Sequence, residues 1–398
     1  MNVVQLKEGI YSVGVQNPSL RVFDIIMATK YGTSYNAYLV AGKEKTALIE
    51  TVHLTYFEEY LENLQAVCDI HKIDYLILNH TEPDHSGSVR RLLELNPDIT
   101  VIATTAAHKY LANITNISYQ QQAAKPGSFI DLGGIKLEFI PAPMLHWPDS
   151  MFTWCPEQKT LFSCDFLGAH YCEPRLLDTK ITYPDQYLGE FKNYYEAIFS
   201  PFKPYVLAGL DKIKDLPLEC VCPSHGPILM ERIQSAQALY REWSTPVSDS
   251  AVKKVLIVYV SAYGCTKKIA EILAQTLTGE FGIEVETINL VEQSFDGLAA
   301  KINSCHGLLF GTPTINRDAL APIWQASSMI DAITNKGKAA GVFGSYGWSG
   351  EGVPMIVERF KGLKLNVVGD GVTALFVPSE EETEKIREYA RTFAAAVQ

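Results

Sequence analysis

Asn79-His80-Thr81-Glu82-Pro83-Asp84-His85-Ser86-Gly87 sets two imidazoles and two carboxylates within six consecutive positions, a pattern written H-x-E-x-D-H. The stretch follows Tyr75-Leu76-Ile77-Leu78, a short apolar run that reads as a buried strand. Charged groups at the end of a buried strand are costly unless something neutralises them, and a pair of metal ions is the usual solution. The plainer reading, a solvated polar turn, does not account for so many ligand-type side chains in so short a span.

Further candidates stand where apolar runs give way to loops. His146 lies in Ala142-Pro143-Met144-Leu145-His146-Trp147-Pro148-Asp149-Ser150, Asp165 ends the run Leu161-Phe162-Ser163-Cys164, and His225 follows Val221-Cys222-Pro223 in Ser224-His225-Gly226-Pro227. Each alone is ordinary, since a lone histidine is more often a packing or surface residue. With the first motif they make seven candidate ligands, enough for two ions with one carboxylate shared. Their order and spacing resemble the metallo-β-lactamase sandwich, whose ligands rise from separate loops at one edge. Hydrolases of that superfamily usually carry a second histidine where this chain has Glu82. Carboxylate for imidazole adds charge and hard oxygen, which suits iron over zinc. Iron changes oxidation state where zinc cannot, so redox chemistry is expected rather than hydrolysis. His170, in Gly168-Ala169-His170-Tyr171, is a candidate to hydrogen-bond a ligand or substrate, and Tyr195 is a weaker one. His53, His71, His108 and His306 read as surface or packing residues.

The chain has 398 residues, too many for one ordinary core. A hydrophobic content of 47% and a charged content of 20% are those of a soluble globular protein, and the net charge of −11 disfavours nucleic acid and anionic membranes as partners. No apolar run reaches membrane-spanning length, and Met1-Asn2-Val3-Val4-Gln5-Leu6-Lys7 is not a signal peptide. The eight cysteines include no C-x-x-C pair, so buried free thiols in a reducing cytoplasm are expected.

Two halves differ in pattern. Up to about residue 243 the apolar runs are short, separated by turn residues, with few helical stretches. A hairpin is expected from Tyr35–Val40 and Thr46–Glu50, helices over 58–70, 88–95 and 230–243, and strands near 75–79, 99–103, 135–140 and 160–164. This is a mixed α/β sandwich. Ser244-Thr245-Pro246-Val247-Ser248-Asp249-Ser250 reads as a linker. Beyond it Val255-Leu256-Ile257-Val258-Tyr259-Val260 suits a parallel strand buried on both faces. Strands at 285–290, 307–310, 339–343 and from Val367, with a closing helix over Glu380–Val397, complete a doubly wound parallel sheet. The expected domains are 1–248 and 249–398.

Ser261-Ala262-Tyr263-Gly264-Cys265-Thr266 follows the first strand of that sheet and opens a helix. Hydroxyls and backbone amides at a helix N-terminus cradle phosphate, and the spacing fits neither a Walker loop nor a dinucleotide fingerprint. Gly311-Thr312-Pro313-Thr314-Ile315-Asn316 and Gly344-Ser345-Tyr346-Gly347-Trp348-Ser349-Gly350 follow the third and fourth strands. Open α/β sheets bind ligands at these strand ends. The implied ligand is FMN, held by Ser261, Tyr263, Gly264, Cys265 and Thr266, by Thr312, Pro313, Thr314 and Asn316, and by Ser345, Tyr346, Gly347 and Gly350, with Trp348 or Tyr346 stacking on its ring. The competing reading of Trp348 is a packing residue.

Taken together, H-x-E-x-D-H, H-W-P-D-S, the Asp165 strand and S-H-G resemble the flavodiiron proteins, or A-type flavoproteins, over nearly the whole chain. That resemblance implies a metallo-β-lactamase-like αββα domain with two irons, followed by a flavodoxin-like domain. It implies His80, Glu82 and His146 on one iron, Asp84, His85 and His225 on the other, and Asp165 bridging. It also implies reduction of dioxygen to water, of nitric oxide to nitrous oxide, or of both, with electrons passing from FMN to the irons. A head-to-tail homodimer, or a dimer of such dimers, is implied as well. With no C-x-x-C pair in the sequence, a rubredoxin module is not expected, and electrons are expected from an external donor, such as rubredoxin or a reduced deazaflavin or nicotinamide system. Tyr263 departs from simple flavodoxins, which usually carry threonine there. A dizinc hydrolase and a non-enzymatic electron carrier or gas sensor are the rival readings.

Overall fold

Leu39, Leu48, Leu76 and Val101 turn to one side of a sheet, while Tyr38, Val40, Ala47, Ile49, Ile77 and Ile102 turn to the other. That period of two, apolar on both faces, demands a layer above and a layer below. A computed structural model of the chain describes residues 3–25, 27–246 and 252–397. It divides into compact units, Met1–Pro246 and Val247–Gln398. Of the expected linker, Ser244 is the last residue of the helix Ile233–Ser244, and residues 247–250 with the 248/249 boundary lie outside the described residues.

In the first unit a seven-stranded sheet runs in the order Val4–Lys7, Ile10–Ser12, Tyr38–Ala41, Thr46–Ile49, Tyr75–Ile77, Thr100–Ala103, Gln120–Ala123. From Thr46–Ile49 onward its neighbours are parallel. A five-stranded sheet, Phe129–Asp131, Lys136–Pro141, Met151–Cys155, Thr160–Cys164 and Cys220–Pro223, faces it. Between the sheets pack Ile49, Ile77, Ile102, Phe139, Met151, Phe162 and Cys222. The helices Phe57–Gln65, Val89–Leu95 and Thr105–Thr115 cover the outer face of the first sheet. Pro184–Tyr194, Lys203–Ile213 and Ile233–Ser244 cover that of the second. The result is the expected αββα sandwich.

Helices are commoner here than the sequence pattern suggested. Tyr187, Phe191 and Tyr194, and likewise Val206, Leu210 and Ile213, recur at helical spacing behind Pro184 and Pro204 near the helix starts. Thr104 caps its helix by accepting from the Ala107 amide. The helix expected over 58–70 stops at Gln65, and Asp69 caps a separate short turn, Ile70–Lys72. The expected hairpin forms with Tyr38 opposite Ile49, but Tyr35 belongs to a separate strand, Thr33–Tyr35.

In the second unit the parallel order is Glu284–Asn289, Lys254–Tyr259, Gly307–Ile315, Ala339–Tyr346, and then Asn366–Val367 with Val372–Leu375. This 2-1-3-4-5 order is the flavodoxin-like arrangement, whose ligand crevice lies where the order reverses. Cys265–Phe281 and Glu380–Ala396 pack on one face; Leu298–Ser304, Ala321–Ser328 and Gly352–Gly362 pack on the other. The last helix opens with a reciprocal box in which Ser379 Oγ accepts from the Glu382 amide and Glu382 accepts from the Ser379 amide.

All eight cysteines are free. Cys68, Cys172 and Cys265 are only half-buried, which corrects the expectation of uniformly buried thiols. Among the described residues no helix is long and apolar enough to cross a membrane.

Candidate metal centre and flavin cradle

The strand Tyr75–Ile77 delivers His80, and Pro83 starts a one-turn helix that brings Asp84 and His85 inward. Asp165 follows Thr160–Cys164, and His225 follows the neighbouring parallel strand Cys220–Pro223. Gly226 takes φ +80°, and a Cβ there would lie 2.5 Å from the Ala169 carbonyl oxygen, so glycine lets the His225 loop close against its neighbour.

These loops converge. His80, Glu82, His146 and Asp165 form one group of mutually close ligand atoms, and Asp84, His85 and His225 form another. Glu82 Oε2 lies 3.3 Å from His80 Nε2 and 3.1 Å from His146 Nε2. Asp84 Oδ2 lies 3.3 Å from His85 Nε2 and 3.0 Å from His225 Nε2. Asp165 presents one oxygen to each group. Its Oδ2 is 3.6 Å from His146 Nε2, while its Oδ1 is 3.2 Å from His85 Nε2 and 3.5 Å from His225 Nε2.

Asp84 Oδ1, Asp165 Oδ2 and His85 Nε2 are buried without a hydrogen-bond partner. Buried acids left in that state are strongly unfavourable unless a cation joins them. The donors are carboxylate oxygens and imidazole nitrogens, a set that iron accepts. The residues therefore fit a pair of iron ions. Without metal, protons stand in for them. Burial opposes charge on His80, but hydrogen bonds to Asp149 and Glu82 outweigh it and push its pKa up to about 10. Burial works against an ionised Glu82, yet His146 and His80 pull it down to about 2. His85 is held well above its ordinary value because Asp84 and Asp165 overcome its burial.

A second set of residues orients the first. Asp149 takes His80 Nδ1 at 3.1 Å and also accepts from the Thr81 amide and hydroxyl. His225 Nδ1 lies 2.6 Å from the Ser34 carbonyl. Fixing the outer nitrogen in this way sets the tautomer and leaves Nε2 for the ion. His170 belongs to neither ligand group: its Nδ1 lies 2.9 Å from Thr33 Oγ1, and its Nε2 is buried, unpartnered, in the wall of a cavity of about 140 Å³. That cavity also receives Phe23, Asp24 and Tyr194 beside the ligands. Tyr195 does not reach it. Its hydroxyl meets Ser244 Oγ at 2.8 Å in an aromatic core with Tyr240 and Trp243, and the preceding residue, Tyr194, faces the site instead.

Sequence reasoning thus missed Asp149, Tyr194 and Asp24. Asp149 was on view in the H-W-P-D-S stretch, and the helical register of Tyr187, Phe191 and Tyr194 pointed to Tyr194 over Tyr195. His53, His71, His108 and His306 stay outside both ligand groups.

In the second unit, Ser261, Tyr263, Cys265, Thr266, Pro313, Thr314, Ser345, Tyr346 and Gly347 all line one cavity of about 100 Å³, joined by Ala262, Ile315 and Phe376. Thr266 Oγ1 and Ser345 Oγ lie 2.8 Å apart and tie the start of the helix Cys265–Phe281 to the end of the strand Ala339–Tyr346. Gly264, at φ +85°, starts the helix Cys265–Phe281 with no side chain of its own, and Ser261 Oγ accepts from the Lys267 amide in the first turn at 3.2 Å. Thr312 is fully buried and accepts from the Leu320 amide, so it braces the loop rather than facing the cavity. Gly264, Asn316, Trp348 and Gly350 are likewise not among the lining residues. Trp348 is 93% exposed and Tyr263 92%, so the packing reading of Trp348 fails. The hydroxyl-lined cavity at a helix start opened by glycine fits the phosphate of FMN.

The chain matches the family model of the ODP family β-lactamases over residues 33–226 and that of flavodoxin over residues 257–389. It is 50% identical to the flavo-diiron protein FprA2 of Clostridium acetobutylicum over the whole of both chains. It is 33% identical to the nitric oxide reductase of Moorella thermoacetica, covering 99% of this chain and 98% of that one. The structure of rubredoxin oxygen:oxidoreductase from Desulfovibrio gigas superposes with a TM-score of 0.74 at 28% identity, covering 99% and 98% of the two chains. The chain belongs to the flavodiiron, or type A flavoprotein, family. It is an oxidoreductase whose flavodoxin domain implies FMN and whose β-lactamase-like domain implies iron.

Proposed function

We propose that this protein reduces dioxygen to water, nitric oxide to nitrous oxide, or both, at two irons in the first unit, with electrons entering through FMN. The observation that carries this reading is Asp165, whose two oxygens face two separate ligand groups. One iron would be held by His80, Glu82 and His146 and the other by Asp84, His85 and His225, with Asp165 shared. Iron and FMN, when bound, supply the electrons and the positions at which a diatomic gas binds.

The chain's own side chains do the rest. The carboxylates of Glu82, Asp84 and Asp165 offset the cationic charge and hold the ions close. Asp149 and the Ser34 carbonyl fix the rings of His80 and His225. Phe23 and Ile198 line the small cavity with apolar surface, which excludes bulk water beside the ligands. His170 Nε2 and the Tyr194 hydroxyl face that cavity as polar groups able to hold a proton or meet a bound gas. In the second unit Ser261, Thr266, Thr314 and Ser345 would take the FMN phosphate and the neighbouring polar edge. Tyr263, Tyr346 and Trp348 supply aromatic surface beside the same crevice, and Gly347 and Gly350 keep its loop small.

The reading includes an external donor such as rubredoxin, a partner in the name of the Desulfovibrio protein, or a reduced deazaflavin or nicotinamide system. It includes a head-to-tail homodimer or dimer of dimers, in the cytoplasm. Parallel anaerobic electrode traces with dioxygen and with nitric oxide, one chemically reduced donor and measured iron and FMN contents test it. Consumption of neither gas by iron-loaded, FMN-loaded protein, or zinc in place of iron together with esterase activity, would overturn it.

A further inference from the structure

Glu50 ends the strand Thr46–Ile49 at φ +63°, a left-handed backbone that a glutamate adopts only when its surroundings enforce it. Its side chain is fully buried. Oε1 accepts from the Asn79 amide at 2.9 Å, and Oε2 has no partner. A carboxylate oxygen of Glu50, a ring nitrogen of His85 and Cys164 Sγ form a third group of mutually close ligand atoms, within 4.8 Å of one another. The next residue, Thr51, donates both its amide and its hydroxyl to the His85 carbonyl. Residues 50 and 51 therefore approach His85 at both its backbone and its ring.

Two of the other three candidate histidines, His80 and His225, show what His85 lacks. His80 has Asp149 on its outer nitrogen and His225 has the Ser34 carbonyl on its own. Metal-binding imidazoles are generally anchored in this way, by a carboxylate or a carbonyl. Among the described residues no comparable anchor holds His85; a carboxylate oxygen of Glu50 lies within 4.8 Å of one of its ring nitrogens, and Glu50 Oε2 is buried without a partner.

We propose that Glu50 is a positioning residue for His85: its free carboxylate oxygen accepts from the imidazole nitrogen left over when Nε2 faces the ion. A rotation of the carboxyl closes the remaining gap while Oε1 keeps the Asn79 amide. This inference rests on the diiron reading. It assigns the ion held by Asp84, His85 and His225 a dependence on Glu50 that the other ion lacks.

Glu50→Gln is the decisive variant, because its amide oxygen can keep the Asn79 contact while its NH₂ group cannot accept from the ring. Wild type, Glu50→Gln and Glu50→Ala are titrated anaerobically with ferrous iron, and the half-reduced proteins are compared by electron paramagnetic resonance. Both variants are expected to lose about tenfold or more in affinity for one iron of the pair. The other iron is unchanged, and the resonance signal is altered. Should Glu50→Ala fail to fold, Glu50→Gln still decides. A Glu50→Gln protein with wild-type affinities and signal would show that Glu50 serves only the Asn79 amide, and would overturn the proposal. So would a third metal equivalent in wild type that disappears in Cys164→Ser, since Glu50 would then be a ligand itself. Failure of wild type to bind two irons would overturn the diiron reading instead, so the two failures are distinguishable.

Discussion

Tyr194 donates its phenolic hydrogen to Oδ1 of Asp165 at 3.0 Å, and that same oxygen lies 3.2 Å from Nε2 of His85. A neutral donor on a shared carboxylate spreads its charge without competing for the ion. Removing the hydroxyl leaves a buried carboxylate oxygen one partner short, a loss of about 1–3 kcal/mol. Tyr194→Phe is therefore expected to retain both irons, to unfold at lower denaturant by that amount, and to turn over gas more slowly. Unchanged denaturation and unchanged turnover would show that the contact is incidental.

Asp165 itself is less forgiving. Asp165→Ala removes an oxygen from each ligand group, so iron content and gas consumption should both be lost. Flavin absorbance should persist, because the cavity that fits FMN is built from other residues. Normal consumption of dioxygen or nitric oxide by metal-depleted Asp165→Ala would sink the diiron mechanism.

Asp149→Asn tests the layer behind the ligands. Asparagine can still accept from Thr81, but it no longer offers a full carboxylate to His80 Nδ1. Outer anchors of this kind contribute about 10–100-fold to metal affinity. Competition against a coloured chelator reads the change directly. An affinity within twofold of wild type would mean that His80 needs no anchor.

Loading the metal should release protons. In the metal-free protein His80 is raised from 6.5 to about 10, so it carries a proton at pH 7.5, and Asp84 and Asp165 shift His85 in the same direction against its burial. The stabilisation from a protonated His80 is complete below about pH 6.5 and is lost as pH rises through about 10, because its folded pKa is the higher one. Coordination requires neutral imidazoles, so at least one proton, that of His80, should leave per pair of irons bound. Calorimetry in buffers of differing ionisation heat counts them. Iron uptake without proton release would show that the folded, metal-free site holds neutral histidines.

The candidate ligands stood out in the primary sequence because they are local in part: H-x-E-x-D-H spans six positions, and His146, Asp165 and His225 each follow an apolar run. The parallel sheet was equally plain, since Val255–Tyr259 is apolar on both faces. What stayed hidden depends on contacts between distant segments. Glu50 looks like a polar strand end until Asn79, His85 and Cys164 arrive from elsewhere in the chain. Asp24 reads as an ordinary turn residue, and only the folded chain brings it into the cavity beside Asp84 and Asp165. Tyr195 and Tyr194 are adjacent aromatics, and which one faces the site is decided by helix rotation, a difference that residue type alone does not carry. The helices near residues 105–115, 184–194 and 203–213 were missed because their apolar stripes are interrupted by polar residues that face solvent.

The flavin crevice makes its own demands. Thr266 and Ser345 bind each other between a helix start and a strand end, so Thr266→Val should loosen both and weaken FMN binding by about tenfold, equivalent to about 1.4 kcal/mol. Trp348 separates packing from stacking more sharply. It is 93% exposed, so Trp348→Ala should change folding stability by no more than about 0.5 kcal/mol. If its indole lies against the flavin ring, the same substitution raises the Kd for FMN severalfold, read by the recovery of flavin fluorescence on titration. A wild-type Kd in Trp348→Ala, with Thr266→Val weakened as expected, would confine FMN recognition to the hydroxyl-lined end of the crevice and leave Tyr346 as the stacking partner.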